Sequence, residues 1–140
     1  MADVDRERLP AQARRSGFGR VLIAAYAVFA LSASARAGVQ LATEFDKAPL
    51  AYLLSAFAAV VYIVATVALA TAGTRAWRVA VTAVLVELVG VIAVGTLSLV
   101  DRAAFPDATV WSVYGRGYGF VPLVLPMIGL WWLHRTRPAA

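Results

Sequence analysis

Between Lys47 and Arg75 the chain runs for 27 residues without a charged side chain. At about 1.5 Å per helical residue such a run outreaches the ~30 Å hydrocarbon core of a bilayer. Three further stretches share the pattern. Phe18 to Gln40 is apolar apart from Arg20 and Arg36 near its ends. Val79 to Val100 carries one charge, Glu87, and a shorter run from Gly117 to Leu133 carries none. With 61% of the 140 residues hydrophobic and only 15% charged, the chain has too little polar surface for a water-soluble domain of its length. The expected fold class is all-α. It is a polytopic membrane protein with four transmembrane helices, at about 18–40, 49–73, 79–100 and 117–134. The short connections predict an antiparallel up-down-up-down bundle. Residues 1–16 read as a disordered basic cytoplasmic tail, 17–135 as the transmembrane domain and 136–140 as a second cytoplasmic tail.

Lysine and arginine set the direction. Arg6, Arg8, Arg14, Arg15 and Arg20 precede or open the first span, Arg75 and Arg78 follow the second, and Arg135 and Arg137 follow the fourth. The opposite side holds Arg36, Lys47, Arg102 and Arg116, balanced by Glu44, Asp46, Asp101 and Asp107. Nine positives against four predict a multi-pass plasma-membrane protein with both termini cytoplasmic. Trp111, Tyr114 and Tyr118 then belong to the outer aromatic belt. The start also has the layout of a signal peptide, a basic region followed by an apolar stretch and small-x-small sites at Ala33/Ala35 and Ala35/Ala37. Against cleavage stands the polar stripe of the first span, which assigns that span to the bundle.

Membrane helices associate through small residues and hydrogen bonds rather than through hydrophobicity. Stripes of such residues recur at alternating three- and four-residue steps: Tyr26, Phe29, Ala33, Arg36, Gln40 in the first span, and Tyr52, Ser55, Ala59, Tyr62, Thr66 in the second. The third has Ala80, Ala83, Glu87, Gly90, Val94. In "GRGYGFVPLVLP" and beyond, Gly115, Gly119, Pro122, Pro126 and Gly129 fall on one face of a helix. Glycines there admit a second backbone, and the prolines kink the helix and free carbonyls. The competing reading of this stretch is an outward ligand or lipid pocket.

Glu87 carries the sharpest signal. It lies roughly 13 Å along the helix from Arg78 and 21 Å from Asp101, where an ionised carboxylate is expensive. Matching depths puts it level with Tyr26, Thr66 and Pro126, with Tyr62 a turn away. The expectation is an inward-facing carboxyl bonded to Tyr26 or Thr66, or to the carbonyl that Pro126 frees. Its role is either helix-to-helix glue or proton and cation coupling. Arg36, Gln40, Asp101 and Arg116 form an outer-face cluster, in which Arg36 either pairs with Asp101 or stays solvated.

Other classes are excluded by what the sequence lacks. No cysteine rules out disulfides, thiolate metal sites and thiol relays, and a single histidine rules out bis-histidine haem within the chain. The net charge of +5 is explained by topology, and the arginines lack the interleaved aromatics of a nucleic-acid surface. No nucleophile–base pair, phosphate loop or metal motif is visible. No enzyme activity, cofactor, metal or nucleic acid is expected.

The segments "LATEFDKAPLAYLLSA", "LVELVGVIAVGTLSLVD", "FPDATVWS" and "GRGYGFVPLVLPMIGLWWL" resemble small four-span integral membrane proteins of high-GC Gram-positive bacteria, a family of unknown function. The resemblance implies a membrane fold and no activity. The first functional expectation is a non-enzymatic accessory or scaffold subunit, partnered by the lipid bilayer and by another membrane protein or further copies of itself. The alternative is a small oligomeric proton- or cation-coupled transporter or channel using Glu87. A second alternative is a binder of lipid or a hydrophobic small molecule. Each makes a demand: a partner needs a spare small-residue face such as Val91, Gly95 and Ser98, a carrier needs Glu87 on a water path, and a binder needs a cavity between the first and fourth spans.

Overall fold

The computed structural model describes residues 17–43, 45–105 and 108–138. The tail expected over 1–16 lies outside the described residues, as do Glu44, Pro106, Asp107 and the last two positions. The described chain is all-helical and contains no strand. Its α-helices are α1 (Gly17–Thr43), α2 (Pro49–Ala70), α3 (Thr74–Val100) and α4 (Val121–Arg135). The first three are long and apolar enough to cross a membrane. A fourth span results if α4 is joined to the bent segment Ser112–Tyr118 before it, across a 98° break.

Local chemistry sets the helix ends. α2 starts on Pro49, whose missing N–H falls where a helix has no use for one. It stops at Thr71, whose backbone turns extended. Gly73 then adopts φ 107°, a conformation closed to residues with a side chain, and α3 begins at the next residue. So tight a junction lays α2 against α3, and α1 in turn packs most extensively on α2. The packed faces are alanine-rich. Ala30, Ala33 and Ala37 of α1, Ala58, Ala59, Ala65 and Ala68 of α2, and Ala80 and Ala83 of α3 are all buried, which lets the backbones approach closely.

α4 packs along α3 but meets α1 through long side chains instead of backbone. Phe18 of α1 meets Trp132 in a tilted contact at 4.8 Å and Trp131 edge-on at 6.0 Å, and Phe29 packs on Tyr118, just before α4, at 5.7 Å. Near the end of α4, Trp77 Nε1 donates to the Leu133 carbonyl at 2.9 Å and ties the start of α3 to it. The opposite surfaces are apolar: Leu31 is 74% exposed and Val67 61%. Apolar side chains exposed along whole helices fit a lipid environment and not water.

The largest departure from the sequence reading lies between α3 and α4. A helix expected from Gly117 begins at Val121 instead, and α4 has 15 residues, roughly 22 Å. The segment 108–120, here termed the strap, runs back along α3. Val113 (φ 49°), Tyr114 (φ 60°) and Gly115 (φ 85°) wind left-handed in succession, and Gly119 (φ 63°) and Phe120 (φ 60°) do so again. A left-handed residue with a side chain costs roughly 1–2 kcal/mol, and a β-branched one is rarer still. The strap accepts that cost because several anchors fix it from outside, as described next.

Candidate functional site

Glu87 sits in the middle of α3 and is fully buried. The Tyr26 hydroxyl, from α1, donates to its Oε1 at 2.6 Å. That approach depends on Gly129 of α4, where a side-chain carbon would stand 3.2 Å from the Tyr26 oxygen. Three helices therefore meet at this one bond. Glu87 Oε2 has no hydrogen-bond partner among the described residues. The carbonyl freed by Pro126 is that of Pro122, and Glu87 does not reach it.

Tyr62 lies beside this pair, its ring 6.2 Å from that of Tyr26 and stacked on Phe29 at 5.5 Å. Its hydroxyl accepts a 3.0 Å bond from Trp111 Nε1, so its own proton is not committed to that bond. Thr66 does not join. Its hydroxyl donates to the Tyr62 carbonyl one turn back in the same helix, at 2.7 Å, a local partner always within reach of a helical threonine.

Trp111 is the member that sequence reasoning missed. Placed in an outer aromatic belt by its position in a loop, it is 1% exposed and lies in the main core. It fits because Gly90 has no side chain: a carbon there would come within 2.5 Å of the indole. Tyr114 fills the corresponding space over Gly95, and its hydroxyl shares a 3.0 Å bond with Thr96 Oγ1. Ser98 Oγ accepts from Val113 N at 2.8 Å and donates to the Gly95 carbonyl. The face of Val91, Gly95 and Ser98, left free for a partner in the sequence reading, is thus covered by the chain's own strap. A signal for this was present: two glycines five apart in an apolar helix, followed by two large aromatics three apart.

The Gly/Pro stretch is corrected in the same way. Gly115 and Gly119 are not on a helix face but in left-handed turns of the strap. Gly115 packs on the Pro122 ring, 2.6 Å from where its side chain would begin. Pro122 stands in the first turn of α4, where proline is harmless, and only Pro126 interrupts the helix. Pro122, Pro126 and Gly129 do share the buried face of α4.

The outer-face cluster divides. Arg36 donates to the Ala108 carbonyl at 2.7 Å and to the Tyr118 hydroxyl at 3.2 Å, so it holds the strap and not Asp101. Asp101 accepts from Ala104 N at 3.4 Å and caps its own turn. Gln40 is buried with its Oε1 unpartnered among the described residues. Arg116 is exposed on the strap, across a cleft of about 530 Å³ from Arg36. The chemistry on offer is hence a sealed carboxyl–phenol–indole core and an open cationic cleft. No family model matches the chain, and no curated protein or solved structure does so either.

Proposed function

We propose that the chain is a non-enzymatic integral membrane protein, an accessory or scaffold component of a membrane complex. In this reading four spans form an antiparallel bundle in a bacterial plasma membrane. The start of α1, the α2–α3 turn and the end of α4 face the cytoplasm with their arginines. We take the chain to be of the same kind as the small four-span proteins of high-GC Gram-positive bacteria that its segments resemble. The observation that carries the proposal is the enclosure of Glu87. A coupling carboxylate has to meet water during its cycle, whereas this one is wholly buried, bonded to Tyr26 and roofed by Tyr62 and Trp111. In this reading it serves as glue between α1 and α3, and the bond from Tyr26 supports that. Since the strap covers the small-residue face of α3, a partner would have to take the lipid-facing flanks of the long helices. Native mass spectrometry of the protein purified gently from its own membrane tests this. A stoichiometric foreign subunit is the expected result, and a homo-oligomer without one would count against it.

A second reading, a small proton- or cation-coupled carrier, has one observation in its favour. Among the described residues Glu87 Oε2 is unpartnered, close to a broken span. Irregular backbone at membrane depth is tolerated where protein or a wet cavity encloses it, and broken helices flank ion sites in larger transporters. Proteoliposome flux under a proton gradient, native against Glu87→Gln, decides. Absence of flux in the native protein would end that reading.

A further inference from the structure

The cleft between α1 and the strap takes no part in the sealed core. Arg36, Thr109, Ser112, Arg116, Gly117 and Tyr118 line it, so two arginines border it with no carboxylate among the described lining residues. Arg36 commits two of its five N–H donors, to the Ala108 carbonyl and the Tyr118 hydroxyl. Those bonds hold its plane in place and leave donors unspent. The Arg116 side chain has no hydrogen bond or ion pair among the described residues.

The floor supplies one more donor. Thr109 Oγ1 and Ser112 Oγ lie 3.1 Å apart, and each also accepts a backbone N–H, from Trp111 and Thr109 respectively. Only one hydroxyl proton fits between the two oxygens, which leaves the other free to donate. Gly117 gives the wall an open spot, where a side chain would meet nothing within 4 Å. The grooves between α2 and α3, by contrast, are walled almost wholly by apolar residues such as Val64, Val67 and Leu85.

We propose that this cleft binds a phosphate-type oxyanion, clasped between Arg36 and Arg116 with the Thr109–Ser112 pair beneath it. Planar guanidinium forks match phosphate oxygens two at a time, and an anion relieves the repulsion between two cations that no carboxylate among the described lining residues neutralises. Arg36 stands seven residues before the end of α1, roughly 10 Å along the helix, a depth at which lipid headgroups and dissolved phosphate both arrive. The site goes beyond the accessory reading and holds whether or not a partner subunit exists.

The test uses the full chain in detergent, offered mixed micelles of phosphatidylglycerol and phosphatidylcholine, with retained lipid counted by native mass spectrometry. One phosphatidylglycerol should be kept in preference to phosphatidylcholine. Arg116→Gln should weaken its retention about tenfold, the effect of losing one charge-assisted clamp. Gly117→Leu should do the same with both charges intact, by filling the cleft. Both positions are exposed, so neither change endangers the fold. A parallel titration with inorganic phosphate, read by phosphorus NMR line broadening, separates the sources. Arg116-dependent broadening supports the site and assigns it to free phosphate, and retention of phosphatidylglycerol without broadening supports it and assigns it to lipid. Equal retention of the two lipids together with no Arg116-dependent broadening overturns the proposal, as does anion binding that neither variant weakens.

Discussion

Trp111 occupies the space that a side chain at Gly90 would need, and from there its indole nitrogen reaches the Tyr62 hydroxyl. The contact joins the strap to α3 and α2 at once. Gly90→Ala should therefore expel the indole and break that bond. Overpacking of this kind costs about 1–3 kcal/mol. Thermal unfolding in detergent should show the loss. Leu97→Ala, at an exposed position of the same helix, should show almost none.

The bond from Tyr26 to Glu87 is testable as a pair. Tyr26→Phe removes the 2.6 Å bond to Glu87, the other oxygen of which has no partner among the described residues, and an orphaned buried polar group costs about 1–3 kcal/mol. Adding Glu87→Leu removes the orphan. The double variant should recover most of the loss, and a double-mutant cycle on unfolding free energies measures the coupling. Strictly additive losses would show that the two side chains do not act as a unit.

Arg36 spans two acceptors on the strap, the Ala108 carbonyl and the Tyr118 hydroxyl. A lysine is a point charge without the fork, so Arg36→Lys should keep the charge and lose one anchor. Hydrogen exchange over 108–118 should quicken, while the amides of α2 should not change. Tyr118→Phe removes only the longer bond and should have the smaller effect.

Backbone strain gives opposite signs at neighbouring positions. Val113 is a β-branched residue at φ 49°, and its structural bond to Ser98 uses only the backbone N–H. Val113→Gly relieves about 1–2 kcal/mol of strain against a glycine entropy cost of about 0.5–1, and should be neutral or slightly stabilising. Gly115→Val meets both a φ of 85° and the Pro122 ring, and should lose about 2 kcal/mol or more. Chemical denaturation of the two variants checks the contrast.

Because the sequence contains no cysteine, single cysteines report topology without background. Cysteines replacing Ala72 and Ala139 should react with an impermeant maleimide only after the cells are opened. One replacing Ala103 should react in intact cells. Any other pattern would reverse or break the proposed orientation.

Sequence alone is enough to show that the chain is helical and carries stretches long and apolar enough to cross a membrane. Apolar run length is a local property, and a helix satisfies its backbone polar groups within its own segment, so no knowledge of the rest of the molecule is needed. The depth of Glu87 followed from counting residues along a helix, which also put Tyr26 within reach. The tertiary structure decided what counting could not. Thr66 is as deep as Tyr26, but it satisfies its hydroxyl within α2. Arg36 was as close to Asp101 on paper as to anything, yet the strap gives it a carbonyl and a phenol instead. Above all, residues 108–120 have composition enough for helix or loop. They turn left-handed and bury Trp111 because Gly90 and Gly95, about twenty residues earlier, leave two holes of the right size. Such a fit is a property of two segments together and is written in neither alone.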